Sequence, residues 1–365
     1  MALVRFENVE KAFGSVKAVD DVSFDIADGE FVCLLGPSGC GKTTTLRLIA
    51  GLEKPTAGTI HIGDRDVTKL AARDRDIGMV FQDYALYPHM SIADNIGYPL
   101  KGRGAPVAAR DQRVREVADH LQIGNLLERR PGQISGGQQQ RTSVARAVVH
   151  EPQVFLFDEP LSNLDAKLRL EARSFLKHLQ REVGVTAVYV THDQAEAMAI
   201  ADRIAVMSDG KIVQIGPPLE VYRRPATTFV ANFLGSPPMN LLPFTVHGSP
   251  RPRLTSDEVE LALSDATAAW LVPAIGDGRT VTAGIRPEHL KLVEQAGPAT
   301  ISGAPYAVET LGPESLVTLK VGETLLTVRV FSDDPPDMPE GVAHVLLDEA
   351  HVHYFDADGV RIEAR

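Results

Sequence analysis

Short apolar runs alternate with helix-spaced patterns from the N-terminus to about residue 230, the arrangement of an α/β sheet domain. "FVCLLG" (31–36), "VFLF" (154–157), "AVYV" (187–190) and "IAVM" (204–207) are apolar on both faces and short, which predicts strands buried from both sides. Residues 88–152 break this rhythm. There "DQRVREVADHLQIGNLL" and "QQQRTSVARAVV" carry apolar positions at helical spacing, which predicts a helical insert within the α/β domain. The stretch 216–240, "GPPLEVYRRPATTFVANFLGSPPMN", is rich in proline and glycine around a short helix, so a domain boundary is expected at about residue 235. Beyond it the chain turns to strands. "SLVTLKV" and "LLTVRV" flank Gly322, Glu323 and Thr324, and "VAHVLLD" and "VHYFD" follow, predicting a small β-barrel or sandwich over 236–365.

Composition narrows the function classes. The 365 residues are 44% hydrophobic and 23% charged, enough for two domains with real cores. A net charge of −11 argues against broad electrostatic binding to nucleic acid or anionic lipid. Cys33 and Cys40 bracket a predicted buried strand, so free thiols are expected rather than a disulfide. The N-terminus, "MALVRFENVEKAF", has early charge and no apolar core of a secretory signal. No run approaches the roughly 18 apolar residues of a membrane span, so any membrane role is expected to pass through a partner.

The strongest chemical signal is "GPSGCGKTT", Gly36–Thr44, which follows a predicted strand and opens the helical run "TTLRLIAGL". Glycines let such a loop wrap tightly, so that successive N–H groups face phosphate oxygens at the positive end of a helix. Lys42 would reach β- and γ-phosphates, and the Thr43 hydroxyl would hold Mg²⁺. In "VFLFDEP" (154–160) an apolar strand ends in Asp158 and Glu159, suited to metal contact and to polarising a water. Taken alone, such an acidic pair reads as a helix cap or a solvated loop. His192 alone reads as a structural histidine, Gln82 as a loop residue and Phe13 as core. "ISGGQQQR" (134–141) opens a helix with no acid, base or metal ligand, and a serine cap explains Ser135 but not the two glycines after it.

Taken together, Phe13, "GPSGCGKT", "VFQ" (80–82), "ISGGQ", "VFLFDEP", "SNLD" (162–165) and "VTHD" (190–193) resemble, in order and spacing, the motifs of the ATP-binding cassette (ABC) ATPases across about residues 1–235. Two positions depart from that pattern: Ile134, where leucine is usual, and Phe13, where importer ATPases often carry Trp or Tyr. The resemblance implies a P-loop NTPase fold, a RecA-like core with a helical subdomain, working as a head-to-tail homodimer on ATP and Mg²⁺. It assigns ATP binding to Phe13, Gly36, Pro37, Ser38, Gly39, Cys40, Gly41, Lys42, Thr43 and Thr44. It assigns Ser135, Gly136, Gly137 and Gln138 to the partner's ATP, Asp165 to the interface, Glu159, His192 and Gln82 to catalysis, and Thr43, Gln82 and Asp158 to the metal.

The C-terminal third is similar to the tail of maltose-type importer ATPases, an OB-fold-like β domain called TOBE. "FVANFLGSPPMNLL" (229–242), "GIRPEHL" (284–290) and "VETLGPESLVTL" (308–319) carry that likeness. It implies a peripheral subunit on the cytoplasmic face of the cell's inner membrane, energising carbohydrate or glycerol-phosphate uptake. The implied partners are permease subunits and an extracellular solute-binding protein at one remove, with no nucleic acid; the β domain is open between a surface for a regulatory protein and a passive dimerisation module. Two other classes compete. A DNA-repair or translation ABC ATPase would carry long coiled-coil insertions, zinc cysteines or a basic surface, and a non-catalytic cassette would lack Lys42, Glu159 or His192. His351 and His353 are expected on one strand face, two ligands being too few for a metal site.

Overall fold

Alternating burial shapes the start of the chain. β1 (Val4–Phe13) and β2 (Val16–Ile26) form an antiparallel hairpin whose Phe6, Val9, Val22, Phe24 and Ile26 point into the core while their neighbours face solvent. β3 (Phe31–Leu35) is buried over its whole length and leads through a glycine-rich loop into α1 (Lys42–Ala50). β4 (Ala57–Ile62) and β5 (Arg65–Asp66) complete a four-stranded antiparallel sheet in the order β2-β1-β4-β5. This computed structural model describes residues 3–332, 336 and 341–363. They separate into two compact units, one up to Leu219 and one from Glu220 onward.

The first unit is built on a second, six-stranded sheet. β6 (Ile77–Val80) runs into the helical segment α2 (Ile92–Gly102), α3 (Val107–His120) and α4 (Gly136–Val148), whose helices pack on one another. β7 (Val154–Asp158), α5 (Ala166–Val183), β8 (Thr186–Val190), α6 (Gln194–Ile200), β9 (Arg203–Ser208) and β10 (Lys211–Gly216) follow. The strand order is β10-β9-β3-β8-β7-β6, parallel from β9 to β6 with β10 antiparallel at the edge. β3, β7 and β8 are buried at every residue, as their unbroken apolar runs predict for a parallel sheet covered on both faces. The rings of Phe31, Phe157 and Tyr189 meet on one face of it, with centroids 5.9–6.3 Å apart. This is the RecA-like core with a helical subdomain that the sequence implies.

Two short helices, α7 (Pro218–Arg223) and α8 (Thr228–Phe233), enter the second unit, so the units divide before the boundary expected near residue 235. The reason lies in "GIRPEH". Arg286, only 2% exposed, donates to the carbonyls of Tyr222, Ala231 and Leu234 and stacks 3.9 Å from the Tyr222 ring. Those carbonyls bring α8 and the end of α7 onto the β domain.

That domain opens with β11 (Asn240–His247), β12 (Arg253–Thr255) and β13 (Glu260–Ala262). Here the expectation of strands alone fails, because α9 (Asp265–Ile275) intervenes, capped by Ser264 and seating Trp270 edge-on against Tyr354 at 5.7 Å. β14 (Thr280–Ile285), β15 (Leu290–Val293), β16 (Thr300–Thr310), β17 (Glu314–Val321), β18 (Thr324–Phe331), β19 (Ala343–Leu347), β20 (His353–Phe355) and β21 (Arg361–Ile362) follow. They make two antiparallel sheets, β13-β12-β11-β14-β20-β21 and β15-β19-β16-β17-β18, around one core that includes Phe244, Leu271, Val317 and Val345. This is the small OB-like β domain anticipated. His351 lies in a 3₁₀ turn ahead of β20, so it shares no strand face with His353 and instead stacks on His289 at 3.8 Å.

Candidate functional site

The order β3-β8-β7-β6 sets the carboxyl ends of four neighbouring parallel strands side by side. Gly36 leaves β3, His192 follows β8, Asp158 and Glu159 end β7, and Gln82 follows β6. Residues from four separate motifs thus gather at one edge, where open α/β sheets bind ligands.

The loop 36–44 needs its glycines. A Cβ at Gly41, which holds φ +104°, would lie 2.2 Å from the Ala18 carbonyl oxygen, and one at Gly36 would lie 2.3 Å from that of Met207. Ala18 belongs to β2, so the hairpin β1–β2 abuts the loop. Lys42 is 6% exposed and donates to the carbonyls of Gly36 and Pro37 at 2.8 and 2.9 Å. Among the described residues no carboxylate pairs with it, so a buried cation faces the loop and the N-terminus of α1, both suited to an anion.

Thr43 donates to Asp158 across 3.4 Å. Burial pushes the Asp158 carboxyl up from its ordinary value; Arg47 opposes this, the Glu159 charge adds to it, and the Thr43 bond opposes it. A hydroxyl and a carboxylate side by side are the hard oxygen donors Mg²⁺ prefers. Among the described residues no group of three His, Cys, Asp or Glu side chains converges on a metal position. The site therefore fits an ion that takes its remaining oxygens from phosphate and water.

Glu159 sits at φ 44°, left-handed and strained for a non-glycine residue. Its N–H donates to the Val190 carbonyl, and its carbonyl accepts from the Ser162 hydroxyl at 2.9 Å. This turn aims the carboxylate at His192, whose Nδ1 lies 3.1 Å from Oε2. The Gln82 carbonyl accepts from Asn163 at 2.9 Å, while the loop beyond it is pinned by α4. There Ser143 and Arg146 donate to the Tyr84 carbonyl and Arg146 also to that of Ala85. Asp165 caps α5 by accepting from the Leu168 N–H at 2.9 Å.

Ser135 to Gln138 are not brought to their own chain's phosphate loop by any hydrogen bond or ion pair among the described residues. Gln138 folds back to accept from the Ser135 N–H at 3.0 Å. Cβ atoms at Gly136 and Gly137 would meet only Leu164 at 3.5 Å and Leu168 at 3.8 Å, ordinary contacts. Phe13 is 49% exposed, with the Lys11 ammonium 4.6 Å from its ring centre, so it is not a core aromatic. Residue-by-residue reading passed over Asn163, Arg146, Arg169 and Glu196, which hold the loops in place. Each is an ordinary polar residue in an ordinary helix or turn, and only their partners reveal them.

Residues 19–162 match the family described as ABC transporter, and residues 235–290 match the MalK OB fold domain. The chain is 48% identical, over 100% of both lengths, to the sn-glycerol-3-phosphate import ATP-binding protein UgpC of Cupriavidus pinatubonensis. It is 49% identical, over 98% of both, to the trehalose/maltose import ATP-binding protein MalK of Thermococcus litoralis. It is also 45% identical, over 98% of both, to the sulfoquinovosyl glycerol transport ATP-binding protein SmoE of Agrobacterium fabrum. Among solved structures, it resembles the dimeric post-hydrolysis state of the ATP-binding cassette MJ0796 bound to ADP and Pi. That likeness has 35% identity and a TM-score of 0.53, covering 59% of this chain and 98% of that one.

Proposed function

The chain belongs to the ABC transporter family, as an ATP-binding subunit of the MalK and UgpC group, and from that premise we propose that its ATP hydrolysis drives uptake of a carbohydrate or glycerol-phosphate solute through membrane permease subunits. The observation that carries the catalytic reading is the junction of Glu159 and His192, 3.1 Å apart beside the Lys42 loop and the Gln82 loop.

In this reading the triphosphate lies on the N–H groups of Gly36–Thr44 at the N-terminus of α1, with Lys42 neutralising its outer phosphates. Ser38, Gly39, Cys40, Gly41 and Thr44 supply the wrap, and the exposed Phe13 ring takes the adenine face. Thr43, Asp158 and Gln82 would hold Mg²⁺, which offsets phosphate charge when bound. Glu159 accepts a proton from the attacking water as it aligns on the γ-phosphate. His192, oriented by Glu159, contacts that phosphate. Positioning and charge neutralisation are what phosphoryl transfer demands of a protein.

Two subunits are needed. Gly136 and Gly137 open α4 without a side chain, where alanine would favour the helix more. The chain's own packing asks for neither, whereas close approach of a phosphate from outside does. We assign Ser135, Gly136, Gly137 and Gln138 to the ATP of a head-to-tail partner, with Asp165 at the shared surface, the arrangement to which the dimeric MJ0796 structures are relevant. Among the described residues no helix is long and apolar enough to cross a membrane, and we assign attachment at the cytoplasmic face to the permease. A groove of about 700 Å³ lined by Met79, Phe81, Ala85, Tyr87, Tyr98 and Arg146 lies on the Gln82 loop and is the surface we assign to it.

Steady-state ATPase measurement on Glu159→Gln tests the reading. ATP binding is expected to persist while turnover falls by about a hundredfold or more. Turnover within a few-fold of wild type would remove Glu159 from its role.

A further inference from the structure

Behind His192 lies a polar cluster that the catalytic reading leaves unused. Glu196, on α6, is 4% exposed, yet its Oε2 accepts from the Thr191 hydroxyl at 2.8 Å and from the Tyr189 hydroxyl at 3.0 Å. Thr191 accepts in turn from the Asp193 N–H at 2.9 Å, so the residues on both sides of His192 hang from one buried carboxylate. Arg169, in the first turn of α5, is the other half. Its Nη2 donates to the Leu164 carbonyl at 3.2 Å, within the segment Ser162–Asp165. Its Nη1 stands 3.5 Å from Asp193 Oδ2 and its Nε 3.7 Å from Glu196 Oε1. One guanidinium therefore touches both the interface segment and the histidine loop.

The charge balance is unusual for a structural staple. A buried carboxylate is costly, and an apolar residue would hold α6 against α5 as well or better. Arg173, which donates to the Ala195 carbonyl at 3.3 Å, already joins the two helices. Among the described residues Arg169 Nε, buried, has no hydrogen-bond partner, and its 3.7 Å separation from Glu196 exceeds a formed N–H···O bond by about 0.8 Å. The link is made but slack in the single chain.

We propose that Arg169 and Glu196 form a positioning pair for hydrolysis, tying the segment that ends in Asp165 to the loop that carries His192, so that docking of a second copy on the first holds the imidazole, already 3.1 Å from Glu159, in place for the γ-phosphate. The proposal rests on the reading of the chain as a dimeric ATPase. Neither residue touches nucleotide; both act through His192.

The test uses the full-length chain with Arg169→Met, which keeps bulk and removes charge, and Glu196→Gln, which keeps an acceptor for both hydroxyls. Each is expected to lower kcat by about tenfold while leaving ATP affinity within about threefold. The double variant should be no worse than the weaker single, because both break one link. Arg169→Lys should recover only part of the loss, since an ammonium cannot serve a carbonyl and two carboxylates as a fork does. Folded single variants with wild-type kcat would overturn the pair. So would losses in kcat, ATP affinity and melting temperature that run in parallel and add in the double variant. Wild type and Glu159→Gln are run alongside. An inactive wild type sinks the ATPase reading itself, whereas an active wild type silenced by Glu159→Gln but not by Arg169→Met sinks only the pair.

Discussion

Asp158 and Glu159 are adjacent in the chain and opposite in circumstance. Asp158 is 8% exposed at the end of β7, with burial and the neighbouring carboxylate both raising its pKa. A carboxyl raised in the folded state favours folding below its unfolded pKa and loses that contribution as pH rises through the folded value. At neutral pH the charge is therefore a load on the fold. Asp158→Asn is expected to stabilise the nucleotide-free protein by about 0.5–2 kcal/mol, with the gain fading at acid pH, and to abolish Mg²⁺-dependent turnover. Thermal melts across pH with a parallel ATPase assay check both; a destabilised Asn variant at neutral pH would refute the argument. None of this is visible in "FDEP". The sequence offers two carboxylates after a strand, and burial, which the strand's neighbours supply, tells them apart.

Among the elements, α1 shows how a buried cation can be purely architectural. Arg75 is 1% exposed and donates to the carbonyls of Leu48, Ile49, Leu70 and Thr68, closing the C-terminal end of the helix that begins at Lys42. Gly51 is needed there because a Cβ would lie 2.5 Å from Arg75 Nε. Arg75→Met should cost about 3 kcal/mol, since it leaves buried carbonyls without donors, and loosen the phosphate loop from behind. Denaturant unfolding and ATP affinity measure the two effects. Unchanged stability would mean that water replaces the guanidinium. Strands β3, β7, β8 and β9 were legible because an apolar run bounded by turns has few other fates. α9 was not. "DATAAWLVPAI" is short and apolar nearly all round, with proline inside, so periodicity could not separate it from a strand. The compact units divide before residue 235 because composition marks where a chain is irregular, whereas Arg286 decides which side those helices join.

At the scale of the whole molecule, the two units should answer differently to acid. His353, packed in the β domain, has its pKa driven down to about 4 by burial, with Arg361, Arg286, His289 and His351 adding repulsion. A histidine depressed in this way contributes stability that is full above its unfolded pKa of about 6.5 and is lost as pH falls through the folded value. The β domain should therefore weaken between pH 6.5 and about 4, and His353→Gln should flatten that dependence relative to wild type. The chain's single tryptophan, Trp270, packs on Tyr354 beside His353, so its fluorescence reports that unit alone. Parallel acid curves for wild type and variant would rule out His353 as the cause.

By itself the sequence determined the chemistry and the list of parts. The glycine loop with Lys42, the strand-end acids, the SGGQ helix start and the order of seven motifs were all present as letters, because loop closure and apolar burial are local demands. Tertiary structure alone decided adjacency. Gln82, Glu159 and His192 are far apart in the chain and come to one edge only because β6, β7 and β8 line up as neighbours in one parallel sheet. The aim of Glu159 comes from a left-handed turn held by Val190 and Ser162, and the hold on His192 from Glu196 and Arg169. Such relations depend on which strands exchange hydrogen bonds, a property that no single segment carries.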